Sequence, residues 1–383
     1  MSVAPGAQDR RATPRPAGDG RLRLAYLSIG RHIHTERWLT WFARRGHEVH
    51  LLTVQPGPMP GITVHDITTH HGPKPLRYLK SLGRVKEILK VLDPDLLHTH
   101  FLTGYGYWGH FSGRKPHMLT VWGDDVYVTP FESPLKNWLA RQVLRGADYV
   151  TGDSADIIEA CIKLGARPET SEVVQWGVDF AVFHPEAAGP VRTDLGIPVN
   201  APVVLSTRSF TQAYYNIDVI IDSIPLVQRA FPDVIYIIAG NEGSDEAIRA
   251  RARERGVEAA CRFVGRIPHA DLPGFLTSSH VYLTVPSVDA TAVSLLEAMA
   301  TGTAVIASDL PSATEWIRDG ESGRVVRPRD VDGLARTTVE LLADGDQRRR
   351  LGARAVELVR AGADHDRNMA RVEAIYRKLV AGR

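Results

Sequence analysis

The chain has 383 residues, of which 44% are hydrophobic and 23% are charged, and its formal net charge is +2. This composition is typical of an ordinary globular protein with room for two domains, and the balanced charge argues against nucleic-acid binding. No apolar run approaches the roughly 20 residues that are needed to span a bilayer. The two cysteines, Cys161 and Cys261, fit neither a disulfide framework nor a zinc site, so we expect a reducing, cytoplasmic location.

Residues 1–20 contain no apolar stretch typical of a secretory signal, and we expect them to form a disordered tail. From Arg21 onward, short apolar runs alternate with stretches of helical periodicity. The predicted strands are Leu22–Ile29, Val49–Val54, Leu96–His100, Met118–Trp122, Tyr149–Gly152 and Val173–Trp176. The predicted helices are Thr35–Arg45, Leu76–Leu92, Leu135–Arg145 and Ala155–Leu164. This alternation predicts an α/β domain over residues 21–190, in which helices cover both faces of a parallel sheet.

Residues 184–202 interrupt this alternation with several proline-containing pairs, which are typical of a turn-rich connector. A second alternating series follows this connector. Its predicted strands are Val203–Thr207, Val234–Gly240 and Arg262–Val264, and its predicted helices are Ile217–Ala230 and Asp245–Glu254. The series predicts a second doubly wound domain over residues 195–365. Two such domains in tandem would present a ligand cleft between the carboxyl ends of both sheets.

The strongest functional signal lies between Val281 and Ala300, where an apolar strand runs into a polar loop and then a helix that begins at about Thr291. Asp289 lies in the loop, and Glu297 lies in the second turn of the helix. The free N–H groups and the dipole at a helix start bind anions, and a nearby carboxylate accepts hydrogen bonds from sugar hydroxyls. This combination predicts a site for a nucleotide-sugar.

The run LLEAMATGTAVIASDLPSATEWIRDGESGRVV resembles the retaining glycosyltransferases of family 4. That family has the GT-B fold, in which two Rossmann-like doubly wound domains face a central cleft. Its motif places an acid after proline-serine and a glutamate eight positions later; the spacing matches here, with Asp289 where the family usually has Glu. The resemblance covers the chain from about Arg21. It implies an acceptor-binding domain over 21–190, a nucleotide-sugar domain over 195–365, and a last helix over 366–383 that crosses back to the first domain.

The resemblance also implies site residues in the second domain. Arg208, at the carboxyl end of a predicted strand, would stabilise the departing diphosphate. Asp289 would hold the donor sugar, and Glu297 would accept hydrogen bonds from the ribose hydroxyls. We assign these three as the catalytic set, although the family's lysine near Tyr215 is absent here. The expected donor-binding residues are Gly240, Asn241, Gly265, Arg266, Thr291, Ala292 and Val293.

In the first domain, the same resemblance suggests contacts with the acceptor. Trp122 replaces a histidine that many relatives carry, and its indole could stack on a sugar ring. The expected acceptor-binding residues are Gly30, His34, His100, Trp122 and Asp124. Each also has an ordinary alternative role, either in the core or as a solvated turn or helix-start residue. The expected acceptor is a carbohydrate, a lipid-linked molecule or a small molecule.

Two alternative functions remain open from the sequence. A nucleotide-sugar 2-epimerase of the same fold would need acids or histidines converging on the sugar, and His98 and His100 form an available pair. A non-catalytic nucleotide- or carbohydrate-binding relative is compatible with the missing lysine and with Trp122. Assays without an acceptor, and with a broad acceptor panel, separate these alternatives from a transferase.

Other patterns do not indicate a metal or a cofactor. Residues 104–109 match the dinucleotide fingerprint G-x-G-x-x-G, but they follow an inner strand, and Gly113 and Pro116 soon interrupt the next helix. None of the Asp-x-Asp triplets follows a strand into a cleft, and His98 and His100 lack a third ligand at a recognisable spacing. We therefore expect no metal and no cofactor, with the nucleotide-sugar acting as a substrate.

The predicted helix over residues 75–92 is amphipathic and carries several basic residues. A packed, sheet-covering helix with a solvated basic face is the first interpretation of this pattern. The alternative is peripheral contact with the inner face of a membrane.

Overall fold

The computed structural model describes residues 20–240 and 246–382 of the chain. These residues form two compact units. The first unit contains the residues up to Gly152, Ile158–Glu172 and the residues from Arg371 onward. The second unit contains Asp153–Ile157 and Val173–Ala370. Among the described residues, no helix is long and apolar enough to cross a membrane.

Strands and helices alternate along most of both units. The strands are β1 (Arg23–Leu27), β2 (Glu48–Thr53), β3 (Thr63–Asp66), β4 (Leu96–His100), β5 (His117–Thr120), β6 (Tyr149–Gly152), β7 (Ser171–Val173), β8 (Val203–Ser206), β9 (Ile235–Ala239), β10 (Cys261–Gly265), β11 (Val281–Thr284), β12 (Ala304–Ser308) and β13 (Arg324–Val326). The helices are α1 (Ile33–Arg44), α2 (Lys74–Leu92), α3 (Tyr105–Ser112), α4 (Asp124–Tyr127), α5 (Pro134–Gly146), α6 (Ala155–Leu164), α7 (Val191–Asp194), α8 (Ile217–Gln228), α9 (Glu246–Glu254), α10 (Leu272–Thr277), α11 (Val293–Ala300), α12 (Pro311–Thr314), α13 (Val331–Ala343), α14 (Gly345–Gly362) and α15 (His365–Ala381).

The first unit is built on a seven-stranded sheet in the order β3-β2-β1-β4-β5-β6-β7. The strands from β3 to β6 pair in parallel. Helices α2 and α3 bury Val85 and Trp108 against one face of the sheet. On β1, Tyr26 points away from that cluster, and its hydroxyl lies 3.0 Å from that of Tyr376 in α15. The crossover direction reverses between β1 and β4, which is where an open α/β sheet forms its ligand crevice.

The second unit contains a six-stranded parallel sheet in the order β10-β9-β8-β11-β12-β13. Side chains alternate between its two faces, as the pleat of a strand requires. Val204 and Leu283 belong to one buried cluster, whereas Val203 and Tyr282 belong to the cluster on the opposite face. The crossover direction reverses between β8 and β11, so this unit has its own switch point at the carboxyl ends of these two strands.

Several bounds differ from those predicted. Apart from Asp153–Ile157, the second unit runs from Val173 and not from near residue 195, because Val178 and Phe183 are buried in its core. Helix α11 begins at Val293, two residues after the predicted start. Strand β3 and helix α3 were not predicted; β3 is a short edge strand without a fully buried residue, and α3 is rich in glycine and aromatic residues.

Candidate functional site

An ion pair lies at the switch point of the second unit. Arg208 follows β8 by two residues, and Asp289 lies in the loop between β11 and α11. The distance between Arg208 Nη2 and Asp289 Oδ2 is 2.5 Å, and the two side chains are only 11% and 17% exposed. The pair therefore joins the two loops that form the crevice of this sheet.

The guanidinium of Arg208 is held by further contacts. It lies over the ring of Tyr215, with its Cζ 4.1 Å from the ring centroid, and Nη1 donates to Ser294 Oγ at 3.4 Å. Burial acts to lower the pKa of Arg208, but the Asp289 carboxylate opposes it, and the pKa lies above its ordinary value. Its Nε is buried and has no hydrogen-bond partner among the described residues. The group is thus a permanent, oriented cation.

The start of α11 lies beside this pair and has no side-chain cap, since its N-cap residue is Ala292. Thr291 is buried; its N–H donates to Asp153 Oδ1 at 3.4 Å, and its hydroxyl donates to the Asp153 carbonyl at 2.9 Å. Thr291 therefore fixes the loop, and the backbone N–H groups of Val293 and the residue after it are those at the open helix end. An uncapped helix start carries the partial positive charge that attracts anions.

Glu297 lies one turn further along α11, and its side chain is only 4% exposed. Its Oε1 is 2.8 Å from Nε2 of His269, a residue of the loop between β10 and α10. The sequence does not indicate His269 as a site residue, because no motif or spacing connects a histidine in that loop with helix α11. The contact holds the carboxylate in one orientation.

The remaining expected donor residues lie at the carboxyl ends of β9 and β10. The N–H of Gly240 donates to the carbonyl of Gly265 at 3.0 Å, and Gly265 has a φ of 65°. A Cβ on Gly240 would lie 2.5 Å from the ring of Phe210, so close packing requires glycine there. Arg266 is exposed. Asn241 lies outside the described residues.

In the first unit, aromatic rings gather at the carboxyl ends of β1, β4 and β5. The ring centroid of Trp122 lies 4.9 Å from that of His32, 6.1 Å from that of His34 and 4.1 Å from that of Phe101. His32 caps α1 by accepting from the N–H of His34 at 3.3 Å. His34 and Trp122 are thus brought together, although they are far apart in sequence.

The other expected acceptor residues differ in their exposure. His100 is buried, with Nδ1 3.0 Å from Ser28 Oγ, and burial lowers its pKa to about 3. Gly30 is buried as well, and a Cβ there would lie 2.2 Å from the carbonyl of Gln55, so tight packing explains this glycine. Asp124 is exposed at the start of α4. Of these three residues, Asp124 alone presents a polar side chain at the surface.

The histidine pair of β4 is part of the core. His98 is fully buried between Tyr376 and Thr120, whose hydroxyls lie 2.5 Å and 2.7 Å from its two ring nitrogens, and burial lowers its pKa. Both nitrogens are engaged, so the ring is not available for acid–base chemistry on a sugar. Within residues 20–240 and 246–382, no group of three or more His, Cys, Asp or Glu side chains is arranged to hold a metal ion.

Both halves of the chain match known protein families. Residues 23–154 match the family described as glycosyl transferase 4-like, and residues 190–357 match the glycosyl transferases group 1. The chain belongs to the family 4 glycosyltransferases. The predictions of the family and of a transferase enzyme are thereby confirmed.

Two relatives illustrate the range of similarity. The phosphatidyl-myo-inositol mannosyltransferase of Mycolicibacterium smegmatis is 32% identical over 185 residues, which cover 48% of this chain and 46% of that protein. The D-inositol 3-phosphate glycosyltransferase of Kribbella flavida is 28% identical over 361 residues, which cover 88% of this chain and 83% of that protein. This glycosyltransferase thus matches about half the length of the first relative and most of the second.

The fold is shared with solved structures. Anabaena HepE in complex with UDP-glucose superposes with a TM-score of 0.80 at 17% identity, covering 94% of this chain and 100% of that one. At this level of identity, the similarity concerns the fold. The predicted GT-B architecture of two parallel-sheet α/β domains is therefore confirmed.

Proposed function

We propose that the second unit of this glycosyltransferase binds a nucleoside-diphosphate sugar, and that the chain transfers the sugar to an acceptor hydroxyl with retention of configuration. The observation that carries this proposal is the buried pair of Arg208 and Asp289 at the switch point, beside the uncapped start of α11. A guanidinium and a helix start are complementary to a diphosphate, whereas a carboxylate is complementary to sugar hydroxyls.

Each residue of the site then has a distinct role. Arg208 stabilises the negative charge that develops on the diphosphate as the glycosidic bond breaks, and this kind of stabilisation is often the largest catalytic contribution. Asp289 orients the donor sugar, and the backbone of Ala292 and Val293 faces the distal phosphate. Glu297, oriented by His269, accepts hydrogen bonds from the ribose hydroxyls. No metal or cofactor enters this scheme, because the guanidinium and the helix dipole supply the positive charge.

The first unit is proposed to bind the acceptor. The indole of Trp122, grouped with His32 and His34, offers an apolar face for a sugar or polyol ring, and the exposed Asp124 can accept hydrogen bonds from hydroxyl groups. The names of both relatives contain inositol, so an acceptor panel should include myo-inositol, inositol 3-phosphate and phosphatidylinositol.

Peripheral contact with the inner face of a membrane is a further part of this proposal. Leu79 on α2 is 63% exposed, and Arg77 and Lys80 on the same helix are exposed beside it. Exposed apolar side chains flanked by cations favour an anionic lipid surface.

The first experiment is a thermal-shift screen with UDP-, GDP-, dTDP- and ADP-sugars, followed by transfer assays with the stabilising donor. We expect Arg208→Ala to abolish transfer, and Glu297→Ala to lower kcat/KM for the donor more than about 10-fold, mainly through KM, while the fold persists in both. Arg249→Ala is the matched control, because Arg249 also covers an aromatic ring of the second unit, at 4.4 Å from the Phe263 centroid. A wild-type kcat/KM for the donor in Arg208→Ala or Glu297→Ala would refute the assigned roles.

A further inference from the structure

We propose that Tyr215 and Asn216 are positioning residues for the transfer reaction, which fix the orientation of Arg208 toward the diphosphate of the donor. This inference rests on the proposed function of Arg208, and it concerns residues that do not themselves touch the donor. Tyr215 supports the guanidinium, and Asn216 fixes the backbone that carries Tyr215.

The contact with Tyr215 does not use the N–H groups of the guanidinium. Arg208 Cζ lies over the Tyr215 ring, 4.1 Å from its centroid, whereas Asp289 and Ser294 are contacted by the terminal nitrogens. A ring on one face restricts rotation about the last bonds of the arginine side chain without occupying its N–H groups. Tyr215 therefore restricts the motion of the guanidinium.

Asn216 fixes the segment that carries this ring. Its φ of 56° is left-handed, which is uncommon outside glycine, and its side chain is buried. The side-chain amide donates to the carbonyl of Val285 at 2.9 Å and to Ser287 Oγ at 2.7 Å, and its oxygen accepts from Arg329 Nη1 at 3.0 Å. Three hydrogen bonds thus satisfy one buried amide.

The segments that carry Tyr215 and Asp289, which both contact Arg208, are connected to each other. Val285 and Ser287 lie in the loop that leads to Asp289, and the N–H of Ser287 donates to the carbonyl of Tyr214 at 2.7 Å. The loop bearing Asp289 and the segment bearing Tyr215 are therefore tied together by Asn216. A cation held by such a frame needs little reorganisation when charge develops on the diphosphate.

The test compares Tyr215→Leu with Tyr215→Phe. The phenylalanine keeps the ring over Arg208, whereas leucine removes it at similar volume. Phe180→Leu is the matched control, because that ring faces Arg360, 5.6 Å away, elsewhere in the second unit. Calorimetry with UDP and UMP, GDP and GMP, dTDP and dTMP, and ADP and AMP measures the contribution of the distal phosphate in whichever pair the wild type binds.

We expect Tyr215→Leu to weaken binding of the diphosphate about 5- to 10-fold and binding of the monophosphate less than 2-fold, within the range measured for cation–π contacts. Tyr215→Phe and Phe180→Leu should bind both nucleotides as the wild type does. In transfer assays, Tyr215→Leu should lower kcat more than it raises KM. A structural role alone would weaken both nucleotides equally.

Asn216→Gly provides a second variant that keeps the left-handed backbone without strain and removes the three side-chain hydrogen bonds. We expect it to change the ratio of diphosphate to monophosphate affinity in the same direction as Tyr215→Leu. The double variant should be less impaired than the sum of the single effects, because both act through Arg208.

The outcomes separate this inference from the proposed function. If Arg208→Ala loses diphosphate affinity while Tyr215→Leu and Asn216→Gly retain it, the inference is overturned and the proposed role of Arg208 stands. If the wild type binds none of these nucleotides, or if Arg208→Ala binds them normally, both are overturned.

Discussion

The role of Glu297 can be tested by a substitution that keeps its shape. Glu297→Gln removes the negative charge but retains the length of the side chain and one carbonyl oxygen. Because the residue is almost fully buried and contacts His269 at 2.8 Å, the amide should occupy the same position. The variant therefore isolates the charge of the group that is proposed to bind the ribose.

The expected magnitude follows from the type of hydrogen bond that is changed. A hydrogen bond to a charged group contributes about 1.5–3 kcal/mol, and one between neutral groups about 0.5–1.5 kcal/mol. The difference of about 1–1.5 kcal/mol corresponds to a 5- to 10-fold weaker interaction with the donor. Since the ribose is remote from the bond that breaks, this loss should raise KM and leave kcat nearly unchanged.

The assay compares ribo- and 2′-deoxyribonucleotides as competitive inhibitors of transfer. Wild-type enzyme should bind UDP or GDP at least 10-fold more tightly than the 2′-deoxy form, and Glu297→Gln should lose most of this preference. Unfolding midpoints control for stability. If Glu297→Gln discriminates between the ribonucleotide and the 2′-deoxyribonucleotide as strongly as the wild type does, the carboxylate does not bind the ribose and its proposed role is refuted.

Three other predictions follow from the described contacts. Asp289→Glu, which lengthens the acid beside Arg208, should change the ratio of kcat/KM for two donor sugars about 10-fold without abolishing transfer; an unchanged ratio would contradict the role of Asp289. Burial lowers the pKa of His100 and His117 to about 3, so their protonation destabilises the fold. The contribution of these histidines to the free energy of unfolding should therefore be constant above pH 6.5. The free energy of unfolding should fall by about 1.4 kcal/mol per pH unit for each histidine as the pH drops from 6.5 toward 3. His117→Gln should remove one such contribution in urea unfolding between pH 7 and 4.5, and an unchanged slope would count against it. Leu79→Glu should reduce co-sedimentation with anionic vesicles at least 3-fold, whereas Val91→Glu, at a similarly exposed position of α2 (60%), should not; equal effects would rule out a specific surface.

The architecture could be predicted from the sequence, because short apolar runs that alternate with stretches of helical periodicity indicate the buried strands. Both doubly wound sheets, and the strands that lead to Arg208 and Asp289, follow from runs such as β8 and β11. Contacts between distant segments could not be predicted in this way. The pairing of His269 with Glu297 depends on how a loop packs against helix α11, and neither periodicity nor spacing records that packing.

The start of α11 shows a related difference. The sequence predicts a helix that begins at about Thr291, and a threonine before an apolar run is typical of an N-cap. The Thr291 hydroxyl instead donates to the carbonyl of Asp153, so that the helix begins at Val293 without a side-chain cap. A residue that is distant in sequence, Asp153, thus overrides the local signal. This hydrogen bond also leaves the start of α11 without a side-chain cap, as an anion-binding helix start requires.

Two departures from the family pattern meet at one side chain. Asp289 replaces the usual glutamate, and a tyrosine stands near the position where the family has a lysine; both residues contact Arg208. A lysine would add a second mobile cation, whereas the ring of Tyr215 adds no charge and restricts the cation that is present. Charge stabilisation in a partly buried site depends on orientation as well as on the number of cations, because an oriented group need not reorganise as the bond breaks. The shorter acid and the aromatic ring are therefore parts of one arrangement around a single guanidinium, which we propose to act with the start of α11 on the departing diphosphate.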